Sequence, residues 1–174
     1  MKRGAGYAGS MILLTALALA GPTLTSTAFD HEGSIPAAYT CEGSDAVPAL
    51  AWGELPEGTQ ALTLIVDDPD APDPAAPQMT WVHWVLYDLP ATAPGIPEGG
   101  ALPEGTREGL NDWKRTGWGG PCPPIGRHRY LFKLYALSAP LGDLGQPDKA
   151  AVEAAMAGKV LGEVALIGTY EKAG

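Results

Sequence analysis

The sequence contains few basic residues. Of its 174 residues, 11 are Lys or Arg and 20 are Asp or Glu, which gives a formal net charge of −9. The basic residues form no cluster, whereas a protein that binds nucleic acid needs a basic surface for the phosphate backbone. Nucleic acid is therefore not an expected partner. A single anionic group remains compatible with this charge, because backbone N–H groups and one or two histidines can bind it locally.

Cysteine is also scarce. Cys41 and Cys122 are the two cysteines of the sequence, and they form no CxxC motif of the kind that holds zinc. The sequence therefore predicts neither a metal site nor a cofactor. A disulfide between these distant residues requires Cα atoms within bridging distance, and the spacing alone leaves that question open.

Long apolar runs are missing as well. The apolar stretch Met11–Ala20 is too short to span a membrane, so we expect no transmembrane segment. It follows Lys2 and Arg3 and ends in Ala18-Leu19-Ala20, a small-x-small pattern of the kind that signal peptidase recognises. We therefore predict a signal peptide over residues 1–20 and a periplasmic or secreted protein. The alternative is a cytoplasmic protein whose synthesis starts at Met11.

The remaining residues, 21–174, have the length and apolar content of one domain. The 23 Gly and 17 Pro of the whole chain are scattered between short apolar runs, which is typical of turns between strands. Five segments have strand character: Thr23–Phe29, Leu62–Asp67, Val82–Tyr87, Arg129–Ala136 and Val164–Glu171. This pattern predicts a mainly β fold of packed antiparallel sheets. One peripheral helix is predicted to begin at Pro147 and Asp148 and to stop at Gly158.

The segment Pro90–Arg115 has almost no apolar periodicity and is rich in Pro and Gly. We interpret it as a long surface segment, and long loops in compact domains are often functional. The run Gly117–Tyr130 is of a different kind, because its glycines and prolines join a stiff loop to a strand that starts with a histidine. Such a loop is suited to holding a ligand, although an ordinary Gly/Pro turn explains it equally well.

Strand alternation suggests which side chains of the predicted strands point together. In the last predicted strand before the helix, His128 and Tyr130 share a face. In an earlier strand, alternation places four residues on one face: Trp81, His83, Val85 and Tyr87. Asp68 and Asp70 come at the end of another predicted strand, in a loop that neighbouring prolines make stiff. Their carboxylates either face a ligand or cap their own turn.

Three motifs, in this order, resemble the phosphatidylethanolamine-binding protein family, and its bacterial Raf-kinase-inhibitor-like subgroup fits best. The motifs are Asp68-Pro69-Asp70-Ala71-Pro72, Trp81-Val82-His83-Trp84 and the run from Gly119 to Tyr130 with the sequence GGPCPPIGRHRY. The resemblance extends from about Leu24 to Tyr170. It implies two packed antiparallel sheets, one or two short peripheral helices and a small anion-binding pocket at one end of the fold.

Carried over by motif, the resemblance implies nine ligand-binding residues: Asp68, Asp70, Trp81, His83, Gly120, Pro123, Pro124, His128 and Tyr130. Imidazole N–H groups and a phenol are suitable donors to a phosphate or carboxylate, while aspartates hold the histidine tautomers or meet an ammonium group. We therefore expect a protein that binds a small anion or phospholipid head group without catalysis and that regulates a partner protein. On this basis, His128→Ala should weaken anion binding and change stability much less.

Two other functions remain open from the sequence. A protease or kinase inhibitor would act through the segment Pro90–Arg115, because a stiff exposed loop can occupy the cleft of another protein. A metal-dependent hydrolase would use the two histidines and two aspartates, but the sequence has no HxH, HExxH or GxSxG spacing. The sequence also leaves a homodimer open.

Overall fold

The computed structural model of the protein describes residues 21–173. The predicted signal peptide over residues 1–20 lies outside the described residues. Eight strands and one α-helix follow each other along the described chain. Their bounds are β1 Thr23–Ser26, β2 Leu50–Gly53, β3 Ala61–Ala71, β4 Met79–Pro90, β5 Gly95–Ile96, β6 Arg107–Glu108, β7 His128–Leu137, α1 Lys149–Met156 and β8 Val160–Tyr170.

The strands form two antiparallel sheets. A small sheet has the strand order β1-β2-β5, and a large sheet has the order β6-β4-β3-β7-β8. Strand β3 lies at the centre of the large sheet and is paired along most of its length with β4 on one side and β7 on the other. The predicted mainly β fold with two antiparallel sheets is thereby confirmed.

The main core lies between the two sheets. Alternate residues of β3, including Leu62 and Leu64, belong to one buried cluster with Phe132 of β7 and with Leu50 and Trp52 of the small sheet. All are buried, and Leu62, Leu64 and Phe132 have no exposed surface. Burial of a side chain of this size stabilises the fold by about 1.5–3 kcal/mol, so this layer supplies much of the force that holds the sheets together.

The helix covers part of the other face of the large sheet. Val152 and Met156 of α1 pack against Val85 and Tyr87 of β4 in a second, smaller core. The helix begins where expected, because the Asp148 carboxylate accepts a hydrogen bond of 2.9 Å from a backbone N–H of its first turn. Across the part of the chain that is described, the helices are all too short or too polar to cross a membrane.

Strands β2, β5 and β6 are absent from the sequence-based prediction. They contain four, two and two residues, which is too short for alternation to be recognised. Two of them lie inside Pro90–Arg115, so the prediction of a plain surface segment is wrong there. Ile96 of β5 is only 1% exposed, and Arg107–Glu108 pairs with β4 at the edge of the large sheet.

Strand β4 contains a bulge at His83. Val66 of β3 pairs with Trp84, whereas the next residue, Asp67, pairs with Val82, so His83 has no partner of its own. A bulge of one residue reverses the alternation of side chains along the strand. The predicted face shared by His83 and Val85 is therefore wrong: Val85 packs beneath α1, while His83 reaches the opposite side of the sheet.

Candidate functional site

A cavity of about 460 Å³ opens at one end of the large sheet, where β3, β4 and β7 meet the loop that precedes β7. Seven of the nine predicted site residues line it: Asp68, Trp81, His83, Pro123, Pro124, His128 and Tyr130. The bulge in β4 is what brings His83 to this cavity, and regular alternation along β7 brings His128 and Tyr130. The predicted convergence of the two histidines is therefore present in the structure.

His128 is fully buried and makes two hydrogen bonds to the protein. Its Nδ1 lies 2.7 Å from Oδ2 of Asp68, and its Nε2 lies 2.9 Å from the carbonyl oxygen of Ile125. The other carboxylate oxygen of Asp68 accepts a hydrogen bond of 2.8 Å from the backbone N–H of Asp70. Both ring nitrogens of His128 are thus occupied by the protein, so this ring shapes the cavity floor without offering a free donor.

His83 has one occupied and one unoccupied ring nitrogen. Its Nδ1 lies 2.6 Å from the carbonyl oxygen of Gly119 and therefore carries the hydrogen of that bond. Nε2 makes no hydrogen bond to any of residues 21–173. Burial lowers the pKa of His83, and this effect exceeds the opposite effects of the Gly119 hydrogen bond and the nearby carboxylates. The ring is therefore neutral near pH 7, with a lone pair on Nε2.

Tyr130 presents a hydroxyl that is buried and unpaired. The residue is 1% exposed and lines the cavity, and its hydroxyl oxygen has no hydrogen-bond partner among the described residues. Its ring meets the His83 ring edge-on, with centroids 5.2 Å apart. Burial, with a smaller effect from the Asp68 charge, raises the pKa of Tyr130 far above its usual range. The hydroxyl therefore keeps its hydrogen and remains a donor.

Asp70 does not line the cavity, which corrects the prediction for this residue. Its carboxylate pairs with the Arg129 guanidinium at 2.7 and 2.9 Å and accepts the Arg129 backbone N–H at 2.8 Å. Arg129 lies on the face of β7 opposite His128, because successive side chains of a strand alternate. The hydrogen bonds from Arg129 hold the pKa of Asp70 below its usual value. Asp70 thus ties β3 to β7.

Gly120 is also absent from the cavity wall. Its backbone N–H donates a hydrogen bond of 2.8 Å to Oδ1 of Asp45. A Cβ atom here would lie 2.5 Å from the carbonyl oxygen of Tyr39 and would clash with the Asp45 carboxylate. Glycine is required here because it allows the loop before β7 to pack closely on the segment around Asp45.

Gly120→Ala is expected to lower the free energy of unfolding by about 1–3 kcal/mol, because the added methyl group must displace the Asp45 segment. Chemical denaturation followed by tryptophan fluorescence measures this change. Gly21→Ala is the matched control, since a Cβ atom there meets none of the other described residues, 22–173, within 4 Å. A loss at Gly120 no larger than that at Gly21 would contradict the close packing described here.

Cys41 and Cys122 form a disulfide, with Cα atoms 5.4 Å apart. The question that the spacing left open is therefore resolved. Both residues are exposed, and Cys122 forms part of the cavity wall. The bridge fixes the loop that carries Pro123 and Pro124 to the segment that follows Tyr39.

Sequence reasoning missed five residues of the wall: Ala71, Pro72, Met79, Trp113 and Cys122. Trp113 is the largest of them, and its ring contacts both the His83 ring and the Trp81 ring, with centroids 5.2 and 5.4 Å away. Asn111, which is 1% exposed, stabilises the turn that carries Trp113. Its side chain accepts a hydrogen bond from the Trp113 backbone N–H and donates one to the Gly117 carbonyl oxygen. The Asn111-Asp112 pair before an aromatic residue was the available signal for this turn.

The wall and the floor of the cavity differ in chemistry. Prolines, tryptophans and Met79 form the wall, and Met79 and Trp113 are 51% and 41% exposed at the rim. The polar groups are confined to the floor, where His83, His128, Tyr130 and Asp68 lie. Within residues 21–173, no three His, Cys, Asp or Glu side chains are grouped in the way that a metal site requires.

Comparison with known proteins agrees with this architecture. The family model described as phosphatidylethanolamine-binding protein matches residues 25–171. A UPF0098 protein of Methanothermobacter thermautotrophicus is 43% identical, over 86% of this chain and 98% of its own length. A UPF0098 protein of Aquifex aeolicus is 42% identical, over 94% of this chain and 98% of its own length.

Two solved structures share the fold. A phosphatidylethanolamine-binding protein homologue from Chlamydia trachomatis has a TM-score of 0.82 and 36% identity, and the match covers 88% of this chain and 99% of that one. YbcL of Escherichia coli, described as a member of the mammalian family, has a TM-score of 0.78 and 29% identity, with 88% and 100% coverage. The chain therefore belongs to the phosphatidylethanolamine-binding protein family and groups with its bacterial members.

Proposed function

We propose that the cavity binds a small anionic group, such as a phosphate, a carboxylate or the phosphoethanolamine head group of a phospholipid, and does not catalyse its conversion. The observation that carries this proposal is the hydroxyl of Tyr130, which is buried in the cavity floor without a partner. A buried polar group left unpaired costs about 1–3 kcal/mol. An oxygen atom of a bound anion would accept the hydrogen of this hydroxyl and remove that cost.

The rest of the cavity supports the same proposal. Its volume of about 460 Å³ lies in the range of small-molecule sites, and an apolar wall with a few convergent polar groups is typical of them. The unoccupied Nε2 of His83 supplies a second polar contact beside Tyr130. A head group with an apolar substituent fits a cavity with a polar floor and an apolar wall. Its polar part would lie on the floor, and the substituent would lie along Trp81 and Trp113.

The side chains of the floor are engaged in ways that favour binding over catalysis. The polar side-chain atoms of His128 and Asp68 are hydrogen-bonded to each other and to backbone groups. Among the residues that line the cavity there is no serine, threonine or lysine, and the sulfur of Cys122 is bonded in the disulfide. A nucleophile next to a general base, which covalent catalysis needs, is not formed by these residues.

The family name supports a phosphate-containing ligand. Phosphoethanolamine, which corresponds to the head group of phosphatidylethanolamine, is a phosphate monoester with an ammonium group. The exposed Cys41–Cys122 bridge supports a second part of the proposal, that the protein works in the periplasm or outside the cell. Structural disulfides persist in oxidising compartments and are rare in a reducing cytosol. Regulation of a partner protein is compatible with the exposed rim at Met79 and Trp113.

Tyr130→Phe is the experiment that tests the binding function. It should weaken binding of phosphoethanolamine about tenfold to a hundredfold, because a hydrogen bond to a charged group contributes about 1.5–3 kcal/mol. The unliganded variant should be as stable as the original protein or more so, since the unpaired hydroxyl is gone. Isothermal titration gives the affinity, and chemical denaturation gives the stability.

Tyr135→Phe is the matched control, because Tyr135 belongs to the same strand and lies on its opposite face. This variant should bind phosphoethanolamine with unchanged affinity. Folded original protein that shows no binding to phosphoethanolamine or inorganic phosphate at millimolar concentration would refute the proposed function. Equal affinities of the Tyr130 and Tyr135 variants would remove the observation on which it rests.

A further inference from the structure

The hydrogen-bond pattern of His83 determines what its free nitrogen offers a ligand. The Gly119 carbonyl oxygen, 2.6 Å from Nδ1, is an acceptor only, so Nδ1 carries the hydrogen. In the neutral ring, Nε2 then has a lone pair and accepts a hydrogen bond. An anion whose oxygens carry no hydrogen would place its negative charge against this lone pair. The adjacent Tyr130 hydroxyl has the opposite character, since it donates.

The cavity contains no cation that compensates an anion. None of its lining residues is Lys or Arg, and the guanidinium of Arg129 is paired with Asp70 away from the cavity. Nδ1 of His128 and Oδ2 of Asp68 lie 2.7 Å apart, so these two side chains pair with each other and present no unpaired cation to a ligand.

The side chains and the carbonyl group around the His83 ring belong to two strands and to the loops over β4. Asp68 lies on β3, Tyr130 and His128 lie on β7, and the Trp113 ring and the Gly119 carbonyl belong to the loops over β4. Two further carboxylates, Asp45 and Asp67, act on the ring from a greater distance. Asp67 is paired with Lys133 and Lys149. Because no unpaired cation of the described chain faces His83, this surrounding favours a ligand of low negative charge.

We propose that the bound anion shares one hydrogen with Nε2 of His83, so that the site selects monoprotonated phosphate monoesters over anions that carry no hydrogen. This inference rests on the proposed function and specifies the ligand class of the same site. The ligand P–O–H group donates to Nε2, and another ligand oxygen accepts from the Tyr130 hydroxyl. When the free ligand is the dianion, the complex gains one hydrogen ion from solution, and the ligand oxygen that donates to Nε2 carries it.

Methyl phosphate and methyl sulfate are a matched pair of probes. At pH 5.5 both carry about one negative charge, and they differ in that the phosphate monoanion has an O–H group and the sulfate has none. We expect methyl phosphate to bind at least about tenfold more tightly at this pH, because a site built around a hydrogen bond rejects an analogue that lacks it. Isothermal titration of the full folded protein measures both affinities.

The affinity for methyl phosphate should also depend on pH. The second pKa of a phosphate monoester is about 6, so below this value the free ligand already carries the hydrogen and the affinity is nearly constant. Above it, complex formation takes up one hydrogen ion, and the affinity falls about tenfold for each pH unit. At pH 7.5, titrations in two buffers of different ionisation enthalpy should give an uptake of one hydrogen ion per bound ligand.

His83→Gln tests whether Nε2 of His83 is the atom that accepts the ligand hydrogen, because the glutamine amide can donate a hydrogen bond to a sulfate oxygen. This variant should reduce the preference for methyl phosphate to less than about threefold. His31→Gln is the control, since His31 is exposed and lies outside the cavity, and it should keep the preference. The pH and buffer experiments on the original protein stand independently of how the variant folds.

The outcomes separate this inference from the function on which it rests. Equal binding of the two probes at pH 5.5, or binding of methyl phosphate without uptake of a hydrogen ion at pH 7.5, would overturn the shared hydrogen and leave anion binding intact. Absence of binding for both probes and for phosphoethanolamine would overturn both. A preference that is unchanged in His83→Gln would exclude His83 as the partner.

Discussion

Replacement of both Cys41 and Cys122 by serine is expected to lower the free energy of unfolding by about 4.5 kcal/mol. The bridge joins residues 81 positions apart, and in the chain-entropy model a loop of this length restricts the unfolded chain by that amount. Domains of ordinary stability unfold with about 5–15 kcal/mol. The bridge therefore accounts for a large part of what keeps this chain folded.

Chemical denaturation in the absence of reductant, followed by tryptophan fluorescence, measures the difference between the double serine variant and the original protein. Dithiothreitol supplies the internal control: it should bring the original protein close to the variant and leave the variant unchanged. A loss below about 1 kcal/mol would show that the unfolded chain is already compact, or that other contacts close the same loop.

The bridge also has a local consequence for the cavity. Cys122 lies in the wall next to Pro123, and the same loop supplies the Gly119 carbonyl that fixes His83. Without the bridge, binding must first order this loop, so the double serine variant should bind phosphoethanolamine more weakly even where it is fully folded. The sequence alone could not predict this effect on binding, because the distance between two cysteines 81 positions apart is set by the complete fold.

The parts of the fold that sequence reasoning predicted correctly are those with long regular patterns. Strand β7 is paired without irregularity from His128 to Ala136, so simple alternation placed His128 and Tyr130 on one face. The helix was predictable because Asp148 caps its first turn and Gly158, with φ of 74°, follows its end. In such segments the local sequence and the final packing favour the same structure.

The errors occur where one extra residue or a distant segment decides the outcome. The bulge at His83 leaves no trace in the order of apolar residues, yet it changes which side of the sheet this ring reaches. Asp70 was assigned to the cavity by its motif, whereas its position near a further irregularity of β3 directs it to Arg129. Trp113 comes from a segment without periodicity, and only the Asn111 turn brings it to the cavity.

His128→Ala is expected to lower the free energy of unfolding by about 3–5 kcal/mol, contrary to the small effect expected from the sequence. The His128 side chain has no exposed surface, and that of Asp68 is 5% exposed. Removal of the ring leaves a buried carboxylate without its partner, which is among the most destabilising changes in protein interiors. It also removes the hydrogen bond to the Ile125 carbonyl in the loop just before β7.

A double-mutant cycle with Asp68→Asn tests this explanation. The neutral amide needs less compensation than a carboxylate, so the double variant should be more stable than the sum of the two single losses predicts, by about 1–3 kcal/mol. His31→Ala removes an exposed histidine that accepts one hydrogen bond of 3.3 Å from the Ile167 backbone N–H, so it should change stability by no more than about 1 kcal/mol. Additive losses at Asp68 and His128 would mean that their contact contributes little. A His128→Ala variant with unchanged stability and weakened anion binding would instead restore the direct ligand contact that the sequence suggested, because the ring would then be held for the ligand and not for the fold.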